Sequence, residues 1–218
     1  MAQERSEAVV VRGVDFSETS RIVTFLTPAR GKLACMAAGA KRAKSPMAGT
    51  LDTFNRLEIV YYWKDGRGVQ KLAEASLQHG FAGLKSDLDK GVFAAFPLEF
   101  AYKVAQENEP SHELYAALVD GLMQMEAWTG AARTHAAWQT LHLLDVAGFA
   151  PDLSSAHAFE APITATALRT LRGLAARSDA CPVVEDAPDA FDAIARYAVR
   201  HVDAEFRSLR VIAQMFGR

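Results

Sequence analysis

The sequence predicts an α+β protein in which an N-terminal β-barrel, residues 1–80, is followed by an all-α helical region, residues 81–218. Two patterns predict this arrangement. Before Gly80, short β-branched or alternating segments are separated by turn residues, which is typical of strands. After Gly80, apolar residues recur at helical spacing. The chain has 218 residues, of which 50% are hydrophobic, so it is long enough to bury a sizeable core.

Five strands are predicted between residues 7 and 76. The fourth has the clearest alternation, because Leu57, Ile59 and Tyr61 share one face. The tetrapeptide Asp65–Gly68 then forms a hairpin turn. A small closed barrel of the oligonucleotide-binding (OB) type has this strand count, so we expect that fold here. The predicted strands are Glu7–Arg12, Arg21–Thr27, Lys32–Ala37, Asn55–Lys64 and Val69–Ser76.

Helices are expected from residue 86 onward. The first, Ser86–Asn108, contains Pro97 and should kink or split there, because proline removes a backbone hydrogen bond. Ser111 is placed to cap the second helix, and Gly148 with Pro151 is placed to end the third. The second helix carries Leu114, Leu118, Leu122 and Met125, and the third carries Trp138, Leu141 and Leu144.

A loop-rich stretch, residues 151–162, precedes a short helix over residues 164–177. Pro188 suits the first turn of a last helix, and Asp189 lies favourably near its positive N-terminal end. Arginines on this last helix follow one another at steps of four, seven and three residues, which places them in one narrow stripe at about 100° per residue. They are Arg196, Arg200, Arg207 and Arg210.

Charge is distributed unevenly along the chain. Residues 1–80 hold 12 basic and 8 acidic residues, whereas residues 81–218 hold 12 and 18. Such asymmetry points to nucleic acid as a partner. The charged first residues are expected to be neither a secretory signal nor a membrane anchor. Cys35 and Cys181 are too few for a disulfide framework, so we expect a cytoplasmic protein with both thiols reduced.

The most basic segment runs from Arg30 to Lys44 and contains five basic residues and no acidic one. Lys and Arg beside an apolar strand can neutralise phosphates and release condensed counterions. Phe16, Phe54 and Tyr62 are candidates for stacking on bases. The alternatives are a place in the core for the rings and a solvated loop for the cations. The candidate nucleic-acid-binding residues are Arg12, Arg21, Arg30, Lys32, Lys41, Arg42 and Lys44.

The sequence contains no catalytic motif that we recognise. The six histidines form no His-Glu-x-x-His pair, and Gly-x-Ser-x-Gly and phosphate-binding Walker sequences are absent. His135 and His142 lie seven residues apart on one predicted helix, where polar positions on the helix surface explain them. Glu185 and Asp186 fall in a loop flanked by prolines. We therefore expect a protein that is not an enzyme and needs no cofactor.

A series of short motifs follows along the first half of the chain: Phe16-Ser17-Glu18-Thr19-Ser20, Phe25-Leu26-Thr27, Gly31-Lys32, Gly39-Ala40-Lys41-Arg42-Ala43-Lys44-Ser45, Gly49-Thr50-Leu51 and Phe54. Their order and spacing resemble the N-terminal half of RecO, a family of bacterial recombination mediators. The resemblance is strongest over residues 7–83, continues more weakly to Pro151 and returns at Phe206–Arg210.

The resemblance implies an N-terminal OB domain, a helical C-terminal domain, binding of single- and double-stranded DNA, strand annealing, and a place at the bacterial nucleoid. It also implies partnership with RecR and with single-stranded-DNA-binding protein (SSB). One departure concerns metal. Many members carry a four-cysteine zinc module where this chain has Asp152–His157, and no Cys-x-x-Cys is present. His157 and Cys181 are too few and too far apart, so no metal is expected.

The resemblance also gives the arginine stripe a candidate role. A basic stripe beside apolar residues can bind an acidic peptide that ends in a hydrophobic anchor, and the SSB tail is such a peptide in many bacteria. Asp203 lies within reach of two of these arginines, so ion pairs on a solvated surface are the alternative. The candidate partner-binding residues are Arg200, Phe206, Arg207 and Arg210.

We therefore expect a DNA repair and homologous recombination mediator that binds DNA without sequence specificity and works with RecR and SSB. Two alternatives remain open. One is an OB protein that binds RNA, because stacking and phosphate contacts do not require deoxyribose. The other is a protein-interaction module whose lysines serve only solubility.

Overall fold

The computed structural model describes residues 2–45, 47–159, 162–177 and 179–217. Strands come first and helices follow, which confirms the predicted α+β class. The strands are β1 (Ala2–Asp15), β2 (Arg21–Thr27), β3 (Gly31–Ala37), β4 (Arg56–Trp63) and β5 (Gln70–His79). The helices are α1 (Ala82–Ser86), α2 (Leu88–Val104), α3 (His112–Ala127), α4 (Ala132–Val146), α5 (Ala165–Ala175), α6 (Pro188–Val202) and α7 (Arg207–Phe216), with a short 3₁₀ helix at Ala156–Ala158.

The five strands form a closed barrel in the order β1-β2-β3-β5-β4, and β4 pairs with β1 to complete it. Neighbouring strands are antiparallel except β3 and β5, which are parallel. This arrangement confirms the predicted five-stranded barrel of the OB type.

β1 is longer than the predicted Glu7–Arg12 because it has two partners. Residues 2–9 pair with β4, and residues 9–15 pair with β2. The register with β2 shifts between Val10 and Arg12, and such a bulge bends a strand and increases its twist. Closure of the barrel therefore supplies the partner for the polar first half of β1, which no apolar alternation in the sequence marks.

The barrel core consists of side chains on the inner faces of the strands. Each fully buried Val, Leu, Ile or Phe contributes roughly 1.5–3 kcal/mol relative to an exposed one. Burial also raises the pKa of the Cys35 thiol to about 12, so this thiol stays protonated and unreactive. The buried cluster is Ala8, Val10, Val23, Phe25, Leu33, Cys35, Ala37, Ala40, Leu51, Leu57, Ile59, Tyr61 and Leu72.

The segment that follows α2 packs against Gly31, at the turn between β2 and β3. The φ of Gly31 is +55°, and a Cβ there would lie 2.4 Å from the carbonyl oxygen of Gln106 and 2.5 Å from that of Glu109. The backbone N–H of Lys32 donates to the Gln106 carbonyl at 2.9 Å, and that of Asn108 donates to the Arg30 carbonyl at 3.0 Å. Only glycine combines this φ with so close a backbone approach.

The chain divides into two compact units, and neither is continuous in sequence. The barrel unit contains residues up to 81 together with residues 105–119, and the helical unit contains residues 82–104 and those from 120 onward. The predicted boundary between residues 80 and 81 places residues 105–119 in the helical region, whereas in the structure they belong to the barrel unit. Their backbone hydrogen bonds to the β2–β3 turn account for the difference.

The helix predicted over Ser86–Asn108 is replaced by α1 and α2. Pro97 lies inside α2 and is buried, and the helix is not split there. Ser111 directly precedes α3 as predicted. α4 ends near Gly148, whose φ is +79° and whose N–H donates to the Asp145 carbonyl at 2.9 Å. α6 begins at Pro188, in the first turn as predicted.

His135 lies in the interior of the helical unit, and its predicted surface position is wrong. It is fully buried on α4, with its ring centroid 5.6 Å from that of Trp128 and 5.1 Å from that of Trp138. Neither ring nitrogen has a hydrogen-bond partner within the described part of the chain. Burial first, and the charge of Lys90 second, lower the pKa of His135 to about 3. The ring is therefore neutral at physiological pH.

The predicted single last helix is also wrong. α6 ends at Val202, Asp203 adopts the left-handed conformation with φ +49°, and α7 begins at Arg207. Asp tolerates this conformation better than most residues, so the chain turns without Gly or Pro. Arg196 and Arg200 therefore lie on α6, and the arginines of α7 do not continue their stripe. Within the described ranges, no helix is long and apolar enough to cross a membrane.

Candidate nucleic-acid interface

Asp15, at the end of β1, gathers two of the predicted basic residues. Its carboxylate lies 2.7 Å from Nζ of Lys41 and 3.4 Å from Nε of Arg21. The hydrogen bond from Lys41 lowers the pKa of Asp15, so the carboxylate stays charged. Gly13 leaves space for the guanidinium, because a Cβ there would lie 2.7 Å from Nη2 of Arg21.

The loop after β3 folds back on the loop between β1 and β2. The backbone N–H of Lys41 donates to the Thr19 carbonyl at 3.0 Å, and that of Arg42 donates to the Gly39 carbonyl at 3.1 Å. Arg42 and Lys44 are exposed, and neither forms an ion pair with any residue that the structure describes. Their cationic groups are therefore available to a ligand.

Phe16 completes this surface from the neighbouring loop. Its side chain is 63% exposed, and its backbone N–H donates to the Ser20 carbonyl at 3.0 Å. A largely exposed ring beside basic residues can stack on a base. We name the set of Phe16, Arg21, Lys41, Arg42 and Lys44 the basic loop surface.

Arg30 is not part of the basic loop surface. It lies in the turn at the other end of β2, and a seven-residue strand spans about 20 Å at roughly 3.3 Å per residue. Its guanidinium makes two hydrogen bonds to Glu4, of 3.2 and 2.6 Å, and lies 4.0 Å from the ring centroid of Trp63. The hydrogen bond to Glu4 raises the pKa of Arg30. Arg30 is thus used in holding this end of the barrel together.

The Glu4 carboxylate accepts a further hydrogen bond, of 2.8 Å, from the Tyr61 hydroxyl. Burial opposes ionisation of Glu4, but the hydrogen bonds from Arg30 and Tyr61 outweigh it and lower the pKa of Glu4. Glu4 therefore remains an anion that occupies Arg30.

Lys32 and Arg12 lie on strands away from the basic loop surface. Lys32 is half-buried on β3, opposite Leu26 of β2, and Arg12 is exposed on β1, opposite Thr24. Two further candidate stacking rings, Phe54 and Tyr62, are half-buried, so neither is fully enclosed in the core. The structure therefore brings together Arg21, Lys41, Arg42 and Lys44, and leaves Arg12, Arg30 and Lys32 elsewhere on the barrel.

In the helical unit, Phe206 is a core residue. It is 4% exposed, and its ring centroid lies 5.1 Å from that of Phe96. The predicted peptide site needs an exposed apolar residue beside its arginines, and the buried Phe206 is not accessible for that contact. Arg200 and Arg207 are exposed, and Arg210 forms an ion pair with Glu205.

Glu99 of α2 holds the start of α7, which sequence reasoning missed. Its carboxylate accepts from the backbone N–H groups of Arg207 and Ser208 at 3.1 and 2.9 Å. A carboxylate is favourable at the positive N-terminal end of a helix. The two partners are more than one hundred positions apart in the sequence, and no local signal marks the contact.

Cys35 and Cys181 are free thiols. Burial raises the pKa of Cys181 to about 12, as it does for Cys35. In the described residues, no group of three or more His, Cys, Asp or Glu side chains is arranged to hold a metal ion.

The chain matches two family models along most of its length. The model "Recombination protein O N terminal" matches residues 1–81, and "Recombination protein O C terminal" matches residues 85–211. Relatives include proteins named DNA repair protein RecO. That of Salinibacter ruber is 34% identical over 149 residues, which are 67% of this chain and 56% of the relative.

The protein of the same name from Anaeromyxobacter dehalogenans is 30% identical over 163 residues, 75% of this chain and 64% of the relative. That of Myxococcus xanthus is 32% identical over 155 residues, 71% of this chain and 63% of the relative. The matched region thus spans between about half and two thirds of the relatives' length. With one match on the barrel and another on the helices, the chain belongs to the RecO family.

Proposed function

We propose that this protein binds single- and double-stranded DNA without sequence specificity and acts as a mediator in DNA repair and homologous recombination. The observation that carries the proposal is the pair of exposed cations Arg42 and Lys44, which have no ion-pair partner in the described residues and share a surface with the exposed ring of Phe16. Membership of the RecO family and the name of its relatives support it.

The chemistry of this surface fits a phosphate backbone. Lys and Arg side chains neutralise phosphates and release condensed counterions, a contribution that is independent of base sequence. The ring of Phe16 can stack on a base of any identity. Neutralising the phosphates of two strands lowers their mutual repulsion, which is how we propose that the protein promotes annealing. No group in this account breaks or forms a covalent bond, so the role is not enzymatic.

The test is a fluorescence titration of labelled DNA at several salt concentrations. Arg42→Glu with Lys44→Glu should weaken binding to every sequence alike and lower the slope of log affinity against log salt by about one per lost contact. The matched control is Arg169→Glu with Arg196→Glu, which reverses two exposed charges of the helical unit. Equal slopes for the two variants would refute the DNA-binding surface.

Competition between DNA and RNA oligonucleotides of matched sequence tests the nucleic acid. Preference for DNA, or equal affinity for both, is compatible with the proposal, whereas strong preference for RNA would favour the RNA-binding alternative. Absence of salt-dependent binding to either would favour a module that contacts proteins only.

We further propose RecR and SSB as partners and the nucleoid of the bacterial cytoplasm as the place of action. Contact with an acidic SSB tail would fall to Arg200, Arg207 and Arg210, because Phe206 is enclosed. Calorimetry with a tail peptide tests this contact. Arg207→Glu should remove binding, and equal affinity of variant and wild type, or no binding by either, would refute the contact.

A further inference from the structure

A cavity of about 210 Å³ lies beside the first turn of α4 in the helical unit. Trp128, Ala131, Val183 and Val184 contribute its apolar lining. Val183 is 94% exposed, so the cavity is open to solvent on that side. An apolar cavity of about 150 Å³ can hold benzene, so this one has room for the side chain of a Leu or Phe.

The polar side chains at the cavity are already engaged with one another. The Thr134 hydroxyl donates to the Asp186 carboxylate at 2.6 Å, and the same carboxylate forms an ion pair with Arg133. The indole N–H of Trp128 donates to the Ala131 carbonyl at 3.2 Å. Because these groups have their hydrogen bonds within the protein, the cavity favours an apolar occupant over a polar one.

One wall of the cavity is formed by residues 181–186, which are neither helix nor strand but are fixed at both ends. Near the start, the Cys181 N–H donates to the side-chain oxygen of Gln124 at 3.1 Å. Near the end, the Glu185 carbonyl accepts from the Thr170 hydroxyl at 3.1 Å. A segment that is fixed before binding loses less conformational entropy when a partner contacts it.

This segment has the side-chain alternation of an extended chain. Val183 and Glu185 are exposed, whereas Val184 packs against α5, where a Cβ at Gly173 would lie 3.0 Å from Cγ1 of Val184. Ala187, which follows the segment, has extended dihedral angles, with φ −127° and ψ 102°. Within the described residues, the backbone N–H and C=O groups of Val183 and Val184 make no hydrogen bond. The backbone of a second extended chain provides matching donors and acceptors.

The surroundings of the cavity are acidic. Residues 179–195 include five acidic residues and no basic one. Glu185, Asp189 and Asp192 are exposed, and none of them forms an ion pair with any residue that the structure describes. Arg133 does not offset these charges, because its own charge is already paired. A peptide that carries Lys or Arg is attracted to such a surface, whereas a nucleic acid or an acidic tail is repelled.

We propose that the cavity and the segment beside it form a docking site for an extended peptide of a partner protein. One large apolar side chain of the peptide fills the cavity, the peptide backbone pairs with Val183 and Val184, and flanking Lys or Arg side chains face the exposed carboxylates. The charge of this site is opposite to that of Arg200, Arg207 and Arg210, so the peptide is not an acidic tail. Nothing in this site depends on DNA binding.

The probe is a phage-displayed library of random peptides of about seven residues, long enough to span the site at roughly 3.3 Å per residue, selected on the full chain. The selected peptides should share one Leu, Ile, Phe or Met with Lys or Arg close to it in sequence. A fluorescent peptide of this consensus should lose at least about ten-fold in affinity when Ala replaces the apolar residue, because that side chain becomes buried. No enrichment, or a consensus that is acidic or lacks the apolar residue, would overturn the docking site.

Fluorescence polarisation with the same peptide locates its contact on the protein. Glu185→Lys should weaken binding by about ten-fold at roughly 0.1 M salt, and by much less at about 1 M, where the charges are screened. The matched control is Asp145→Lys, which reverses an exposed carboxylate at the other end of α4, about 20 Å from the cavity at roughly 1.5 Å per residue. Equal affinities of the two variants would refute docking at the cavity.

A second variant tests the apolar contact without changing charge. Val183→Thr should weaken binding by about four-fold, because a hydroxyl replaces a methyl group that the peptide buries. The side chains of Val183 and Glu185 are exposed, and the hydrogen bond to Thr170 uses the Glu185 backbone, so the melting temperature of both variants should match wild type. Wild-type affinity in Val183→Thr would refute the contact.

Methylated peptides test the backbone pairing. A strand pairs with one neighbour through every second residue. Methylation of alternate backbone nitrogens should therefore abolish binding in one of the two phases and leave it in the other. Equal binding by both methylated peptides, or its loss in both, would refute the extended pairing.

Discussion

The side chains of Lys41 and Asp15 form an ion pair of 2.7 Å at the end of β1, although 26 positions separate the two residues in the sequence. The same carboxylate also lies 3.4 Å from Arg21. One acidic residue thus orients two of the cations on the basic loop surface. It also occupies the position in which a phosphate oxygen would meet them, so under the proposed function DNA must compete with a resident anion.

Asp15→Asn should therefore bind DNA more tightly than wild type. The substitution removes the competing charge while keeping the side-chain size, and an exposed ion pair is weak, so the gain in affinity should not exceed about five-fold. Fluorescence titration at low salt measures it. Asp52→Asn, an exposed carboxylate outside this cluster, is the control. Weaker binding by Asp15→Asn would mean that orientation of Lys41 matters more than competition.

Phe16→Ala should weaken DNA binding by about 1–3 kcal/mol, the range measured for stacking of one base on an aromatic ring. The slope against salt should stay as in wild type, because no cation is lost. The side chain is 63% exposed, so the melting temperature should scarcely change. Titration at several salt concentrations and a thermal melt give both quantities. A changed slope would contradict a stacking role.

His135 should make the protein less stable as the pH falls. The folded-state pKa is about 3, below the ordinary 6.5, because burial disfavours the charged ring. Between these values the unfolded chain binds a proton that the folded chain does not, so stability falls as pH decreases, by up to about 1.4 kcal/mol per unit. Urea titrations of wild type and His135→Phe from neutral pH downward measure this term.

The His135→Phe variant should lose less stability than wild type over that range. If the stability of wild type and of His135→Phe changed in parallel with pH, the ring of His135 would have to be in contact with water in the folded protein.

Gly31→Ala should destabilise the barrel unit by more than Gly49→Ala. Both glycines have positive φ, +55° and +75°, and so share the conformational penalty of about 1 kcal/mol. At Gly31 the new Cβ would also meet two backbone carbonyl oxygens, whereas at Gly49 nothing lies within 4 Å. Chemical denaturation of the two variants isolates the contact. Equal losses would mean that residues 105–111 move away without cost.

Much of the barrel could be predicted because its strands alternate visibly. β2 has the predicted bounds, β3 begins one residue before its predicted start, and β4 is one residue shorter than predicted at each end. The first half of β1 could not be predicted, because its polar residues become a strand only through pairing with β4. Likewise, Pro97 predicted a kink or a split, and α2 is not split there, with the proline buried among apolar neighbours.

The candidate site could be predicted only in part, because composition identifies cations but not their partners. Arg30 and Lys41 lie in the same basic run, yet Glu4 occupies one and Asp15 the other, both 26 positions away. Arg42 and Lys44 differ from them only in having no such partner in the described residues. In the helical unit, Phe206 follows the turn at Asp203 and is buried against Phe96, which helical periodicity could not reveal.

The order in which the two units use the chain has a consequence for synthesis. Residues 105–119 belong to the barrel unit but are made after residues 82–104 of the helical unit. At roughly 5–20 residues per second, a ribosome needs about 2–8 s to pass from residue 82 to residue 119. Until residue 106 has been made, all five strands exist while the Lys32 N–H lacks the Gln106 carbonyl to which it donates in the finished protein. A nascent barrel is thus complete in strand count several seconds before the turn at Gly31 acquires its covering segment.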